Sequence, residues 1–261
     1  MFRSFKCSGN ADSDESRAIC YRSFIKHVAK ERFTMIPLAR IALLALLPTC
    51  PATAEEPECS TALAFALDVS VSVDDAEYKM QREGLAAALS DPSVRSVILS
   101  RPDAVALMAY EWSGYHQQTI ISPWKFIRNE QDLSGFIERL FVHQRGAAEY
   151  PTAIGAALSF GATKLSEVSW CDRLVLDVSG DGIHNHRYPP ESAYRHFPFE
   201  RVTVNGLVIE GAETEVQAYY ANHVISGPGA FVEIANGYAD YARAMKRKLL
   251  RELQDQLLAT R

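Results

Sequence analysis

The 261-residue chain lacks the signatures of the commonest enzyme folds. No Gly-x-Gly-x-x-Gly follows its first apolar run, which excludes a dinucleotide-binding turn. No Gly-x-Ser-x-Gly occurs, and "VSGDG" (178–182) is not a substitute, so the nucleophile elbow of a serine hydrolase is missing. His184 and His186 stand two apart, not four apart as on a zinc-protease helix. No apolar run approaches the roughly 20 residues of a membrane span. There is no internal repeat, low-complexity tract or Pro/Gly/Ser linker that would split the chain.

Cysteine and positive charge become scarcer once the N-terminal segment is set aside. "MIPLARIALLALLPTCPATA" (35–54) carries Arg40, an apolar run through Leu47, Pro48, and then Ala52-Thr53-Ala54. Small residues at the first and third of those positions fit a signal-peptidase site. Residues 35–54 are therefore expected to be a signal peptide, cleaved after Ala54, for a periplasmic or secreted protein. Met35 can start that peptide, so the polar residues 1–34 are expected to be a gene-model extension or disordered. The remaining span, 55–261, reads as one domain. Residues 1–54 hold eight of the 27 Lys/Arg and four of the 32 Asp/Glu, leaving 19 bases against 28 acids. Such acidity argues against a nucleic-acid or anionic-membrane partner. Cys59 and Cys171 are the two cysteines left, an even pair suited to a disulfide in an exported protein.

What is present is an alternation of strand and helix signals. "TALAFAL" (61–67) and "RLVLDVS" (173–179) are continuously apolar, as expected of strands buried on both faces. Strands are also expected at 104–112, 117–124, 204–210 and 230–235. Four residues separate the second and third, too few for a parallel crossover, so these two form an antiparallel hairpin. Helices are expected at 74–89, 130–141, 152–165, 214–223 and 236–258, with Asp74 as cap and Asp91-Pro92 as stop after the first. The sum is a doubly wound α/β fold: a mostly parallel sheet of about six strands, one antiparallel edge strand, and helices on both faces. Lys246, Arg247, Lys248 and Arg251 on the last helix read as a solvated face. Trp112, Tyr115 and Trp124 read as aromatic packing around the hairpin.

In such a sheet, ligands bind beyond the carboxyl ends of the strands. "DVSVS" puts Asp68 at the end of the first strand, with Ser70 and Ser72 in the loop beyond. "DVSGDG" puts Asp181 at the end of the fourth, and "YPTAIGAAL" puts Thr152 at a helix start. If strands one and four are neighbours, these oxygens converge. An all-oxygen set suits a hard cation, Mg²⁺ first, then Mn²⁺ or Ca²⁺. Each motif alone has a plainer reading: Ser72, Asp74 or Thr152 as a helix cap, Asp181 as a turn residue.

Asp68-x-Ser70-x-Ser72, then Thr152, then Asp181 resembles the metal-ion-dependent adhesion site (MIDAS) of the von Willebrand factor A-type domain. With "YEWSG", "NGLVI" and "GPGAFV", the chain more closely resembles a family of exported bacterial proteins of unknown function built on that domain. The resemblance runs from about Cys59 to Leu258. It implies Ser70, Ser72 and Thr152 as direct metal ligands, with Asp68 and Asp181 holding coordinated waters. Adhesion domains often carry Gly-Thr where this chain has Pro151-Thr152. The expected function is a metal-dependent protein-binding module that presents its cation to an acidic residue of a partner. The alternative is a metal-dependent hydrolase using Asp181, His184 and His186.

The cysteines add an expectation of their own. Cys59 stands nine residues before Asp68 and Cys171 ten before Asp181. If the two aspartates sit level on neighbouring parallel strands about 4.8 Å apart, the cysteines sit nearly level at the other end, within bridging distance.

Overall fold

Alternating large and small side chains on the first strand determine how the layers assemble. Leu63, Phe65 and Leu67 point into one hydrophobic core; Ala62, Ala64 and Ala66 point into the other. Successive strand residues face opposite sides of a sheet, so one strand serves two cores. A computed structural model describes residues 58–146, 149–211 and 214–259. The expectations for residues 1–34 and for the signal peptide lie outside the described residues.

Six strands form one sheet: β1 (Cys59–Asp68), β2 (Ala104–Trp112), β3 (Gln118–Ile127), β4 (Arg173–Gly180), β5 (Val202–Ile209) and β6 (Val232–Ala235). Their order is β3-β2-β1-β4-β5-β6. Among the described strands only the β2–β3 pair is antiparallel, and β3 lies at an edge of the sheet. The doubly wound, mostly parallel fold expected from the sequence is the fold observed.

On the bulky side of β1 lie α1 (Asp75–Ser90), α2 (Pro92–Leu99), α3 (Glu130–Val142) and α7 (Tyr241–Ala259). On its alanine side lie α4 (Ile154–Ser166), α5 (Pro190–His196) and α6 (Val216–Tyr219), the last running into a π turn at Tyr220–Val224. The sequence reading missed α2 and α5. It took Asp91-Pro92 as a stop, and α1 does end at Ser90. Yet Asp91 accepts from the Ser93 N–H and caps α2, whose first residue is Pro92. Proline is well suited to that position, because its missing N–H would have had no helical partner. The last helix also starts later than expected, at Tyr241, after a 3₁₀ turn at Tyr238–Asp240.

Cys59 and Cys171 form a disulfide, with Cα atoms 4.7 Å apart. It ties the start of β1 to the segment leading into β4, as the register argument required. A bridge across 112 residues of sequence contributes stability of roughly 2–4 kcal/mol.

The solvated-face expectation for α7 holds for the exposed Arg247 and Arg251 and in part for Lys246, and fails for Lys248. Lys246 pairs with Asp91 and Arg247 with Glu233, while the Arg251 guanidinium lies 3.7 Å from the Phe231 ring centre. Lys248 is fully buried between Asp177 and Glu252. The aromatic reading holds for the two tryptophans. Trp112 is buried, and Trp124 packs on the alanine-side core and donates to the Lys164 carbonyl. Among the described residues no helix is long and apolar enough to cross a membrane.

Candidate metal centre

The site grows from the parallel pairing of β1 with β4. Their register runs from Thr61↔Arg173 to Leu67↔Ser179. Asp68 and Gly180 therefore close the two strands side by side, and Asp181 follows one step later. After Asp68 the chain must reverse into α1. It does so in a turn closed by the Val73 N–H donating to the Ser70 carbonyl at 3.0 Å. The reciprocal cap of Asp74 and Glu77 then starts α1. Because Asp74 takes the cap, the Ser70 and Ser72 hydroxyls are left for other work.

Thr152 is likewise not a cap. α4 begins at Ile154, its cap position is Ala153, and no side chain caps it. The Thr152 hydroxyl instead donates to Ser70 Oγ at 3.4 Å. Ser70 Oγ lies 3.2 Å from Ser72 Oγ, and Ser72 Oγ donates to Asp181 Oδ1 at 2.8 Å. Asp68 Oδ1 accepts from the Ser70 N–H at 2.7 Å. All five residues singled out in the sequence thus meet in one cluster. Asp68, Ser70 and Thr152 are buried, whereas Ser72 is exposed and Asp181 partly so, which gives the cluster one open side.

Asp68 is the electrostatic centre. Its second oxygen, Oδ2, is buried without a hydrogen-bond partner. Burial, reinforced by the nearby Asp181 carboxylate, pushes the Asp68 carboxyl up to about 8; its bonds to Ser70 and the Arg145 charge pull the other way. Buried polar atoms in folded proteins are nearly always satisfied. A carboxylate oxygen with no donor, among three hydroxyls and a second carboxylate, fits a hard divalent cation or its bound water. Space near Asp68 is kept by Gly180, where an added Cβ would lie 2.9 Å from Oδ2 and 2.5 Å from the Tyr220 hydroxyl.

Several supporting residues escaped the sequence reading. Gln81 on α1 is fully buried; its Oε1 accepts from the Asp68 N–H and its Nε2 donates to the Asp68 carbonyl. A glutamine on the apolar face of α1, one turn after Tyr78, was the available signal. Asn185 sits between the two histidines that drew attention. Its side chain accepts from the Thr152 N–H and its own N–H donates to the Thr152 carbonyl. Val71, between the two serines, is 69% exposed beside the half-exposed Tyr150 and gives the open side an apolar rim.

The histidines of the alternative reading are not gathered with Asp181 into a metal group. Among the described residues no cluster of three or more His, Cys, Asp or Glu side chains is placed to hold a metal ion. The oxygen cluster is of a different kind, with three hydroxyls and two carboxylates.

The fold is that of von Willebrand factor A-type domains. The chain belongs to the family described as "Protein of unknown function (DUF1194)", whose model matches residues 58–257. Similar solved structures include proximal thread matrix protein 1 from the mussel byssus with a zinc-occupied MIDAS motif. That likeness has a TM-score of 0.56 at 16% identity and covers 77% of this chain and 49% of that one. A von Willebrand factor type A structure from Catenulispora acidiphila gives 0.53 at 15%, covering 75% and 43%. The PilB minor pilin from Streptococcus sanguinis, as a D319A mutant, gives 0.56 at 11%, covering 80% and 65%. The chain thus spans less than two thirds of each of these proteins, and at such identities the likeness speaks for the fold. No curated protein matches the sequence.

Proposed function

We propose that this domain is an exported, metal-dependent protein-binding module, holding one Mg²⁺, or Mn²⁺ or Ca²⁺ in its place. Ser70, Ser72 and Thr152 supply neutral oxygens, and Asp68 and Asp181 fix coordinated waters. The carrying observation is the convergence of three hydroxyls and two carboxylates from three separate chain segments, linked at 2.7–3.4 Å and open on one side. A divalent cation held mainly by neutral oxygens keeps its charge and offers an open position to a carboxylate. The zinc-occupied MIDAS of the mussel protein supports a divalent metal on this fold. The adhesin SpaC from Lactobacillus rhamnosus GG, at 12% identity and a TM-score of 0.52, supports a role in attachment. The disulfide supports an oxidising compartment. The acidic charge balance argues against nucleic acid, and the open position on the cation suits a protein partner with an exposed Asp or Glu.

The test is capture from the native cell envelope on immobilised protein, with Mg²⁺ against EDTA. Specific partners are expected with Mg²⁺ alone, and His184→Ala is expected to capture them equally well. Hydrolase activity dependent on His184, or capture unaffected by EDTA, contradicts the reading.

A further inference from the structure

Two backbone carbonyls bracket the serines of the metal loop, and one side chain holds both. Val69 and Val73 are buried, and their N–H groups are already used: Val69 donates to the Trp112 carbonyl and Val73 to that of Ser70. Their carbonyls accept from Arg145 Nη2, at 3.4 Å for Val69 and closer for Val73. Arg145 Nη1 donates to Asp75 Oδ1 at 2.7 Å, at the start of α1. The guanidinium also lies 5.7 Å from the Tyr78 ring centre. One planar fork therefore spans the whole turn from the end of β1 to the start of α1.

Arg145 is itself anchored. It lies in the segment after α3, whose backbone is fastened to Glu111 on β2. Glu111 is buried; its Oε1 accepts from the Gly146 N–H at 2.7 Å. Its Oε2 accepts from the Tyr78 hydroxyl at 3.0 Å and lies 3.2 Å from His143 Nε2. A Cβ at position 146 would come within 2.1 Å of Glu111 Oε1, so a side chain there would displace the Glu111 carboxylate. This gives the Glu111 of the "YEWSG" motif a task that the metal cluster itself does not explain.

Resting on the metal-site reading above, we propose that Arg145 is a positioning residue for the metal centre. It holds the Ser70–Ser72 turn in its metal-ready shape through the Val69 and Val73 carbonyls, from a base fixed by Glu111. Buried carbonyls require a donor, and a guanidinium can serve three acceptors in one plane where a lysine ammonium is a single flexible point. The bond pattern, rather than the positive charge, is what the site uses.

Mn²⁺ titration calorimetry on the full chain separates the possibilities, using wild type, Arg145→Lys and Arg145→Met, each with its metal-free melting midpoint. Both variants are expected to bind Mn²⁺ about 10–100-fold more weakly, the usual cost of losing a partner behind the ligands. A lysine variant with wild-type affinity, or a methionine variant that binds more tightly, shows that only charge matters and overturns the proposal. Lowered melting midpoints with unchanged Mn²⁺ affinity make Arg145 merely structural and overturn it too. Wild-type protein that binds no Mn²⁺ overturns the metal-site reading itself and this proposal with it.

Discussion

Replacing Lys248 by methionine is expected to destabilise the domain by about 3–5 kcal/mol, the usual cost of stripping a buried charge of its partner. Lys248 reaches from α7 into the sheet, where its Nζ donates to Asp177 Oδ1 on β4 and to Glu252 Oε1 one helical turn on. Asn205 on β5 completes the group, donating to Glu252 Oε1 at 2.6 Å and accepting from the Phe231 N–H at 3.0 Å. All four side chains are buried. Two carboxyls share one ammonium, and Asp177 Oδ2 and Glu252 Oε2 have no donor. Burial first, and then the neighbouring Glu252, raise the Asp177 carboxyl well above the usual carboxylate range. Removing Lys248 leaves both carboxyls without a cation. A domain of this size loses roughly 2–4 °C of melting midpoint per kcal/mol, so a fall of roughly 10 °C is expected in calorimetry. Glu252→Gln, which relieves the excess negative charge and keeps a hydrogen-bonding side chain, is expected to cost far less. A methionine variant that melts with the wild type would show that the buried pair contributes nothing.

Metal affinity is expected to rise about tenfold for each pH unit between 6 and 8 and to level off above that range. Without metal, the Asp68 carboxyl is pushed up to about 8 by its burial and by Asp181. Loading the site therefore releases a proton at neutral pH. The stability of the metal-free protein follows with opposite sign. The folded state holds the Asp68 proton more tightly than the unfolded chain, whose carboxyl titrates near 3.8. That contribution is fully present below about pH 4 and is lost as pH climbs towards 8. Mn²⁺ titrations at pH 6, 7, 8 and 9, in two buffers of different ionisation enthalpy, measure both affinity and proton release. An affinity independent of pH, with no proton released, would place Asp68 outside the site.

The residues most legible in the sequence were those set by chain direction and period. Continuous apolar runs marked β1 and β4, and the counts from each cysteine to its aspartate gave the disulfide partners. Asp68, Ser70, Ser72, Thr152 and Asp181 were readable because strand ends in an open parallel sheet share one edge. What stayed hidden depended on contacts between distant segments. Helical spacing puts Lys248, but not Lys246, on the stripe of Tyr241 and Met245, yet a lysine there reads as a stem reaching out to solvent; only the Asp177 carboxylate on β4 shows why Lys248 is sealed in the core while Lys246 pairs with Asp91. Arg145 sits in a loop with no pattern of its own, and its role appears only when the segment after α3 lies against the end of β1. Asn185 was overlooked because its histidine neighbours have the more conspicuous chemistry. Asp91-Pro92 carried two signals at once, the end of α1 and the start of α2, and only the first was read.

The central claim is that one divalent cation is held at the ends of β1 and β4 by this oxygen cluster. A Mn²⁺ titration of the wild-type chain beside Asp181→Ala tests it most directly, because Asp181 lies beyond β4 and carries little of the core. One site per chain is expected in the wild type, weakened about 10–100-fold in Asp181→Ala with the melting midpoint of the metal-free protein unchanged. An Asp181→Ala protein that binds one Mn²⁺ with wild-type affinity would contradict the account.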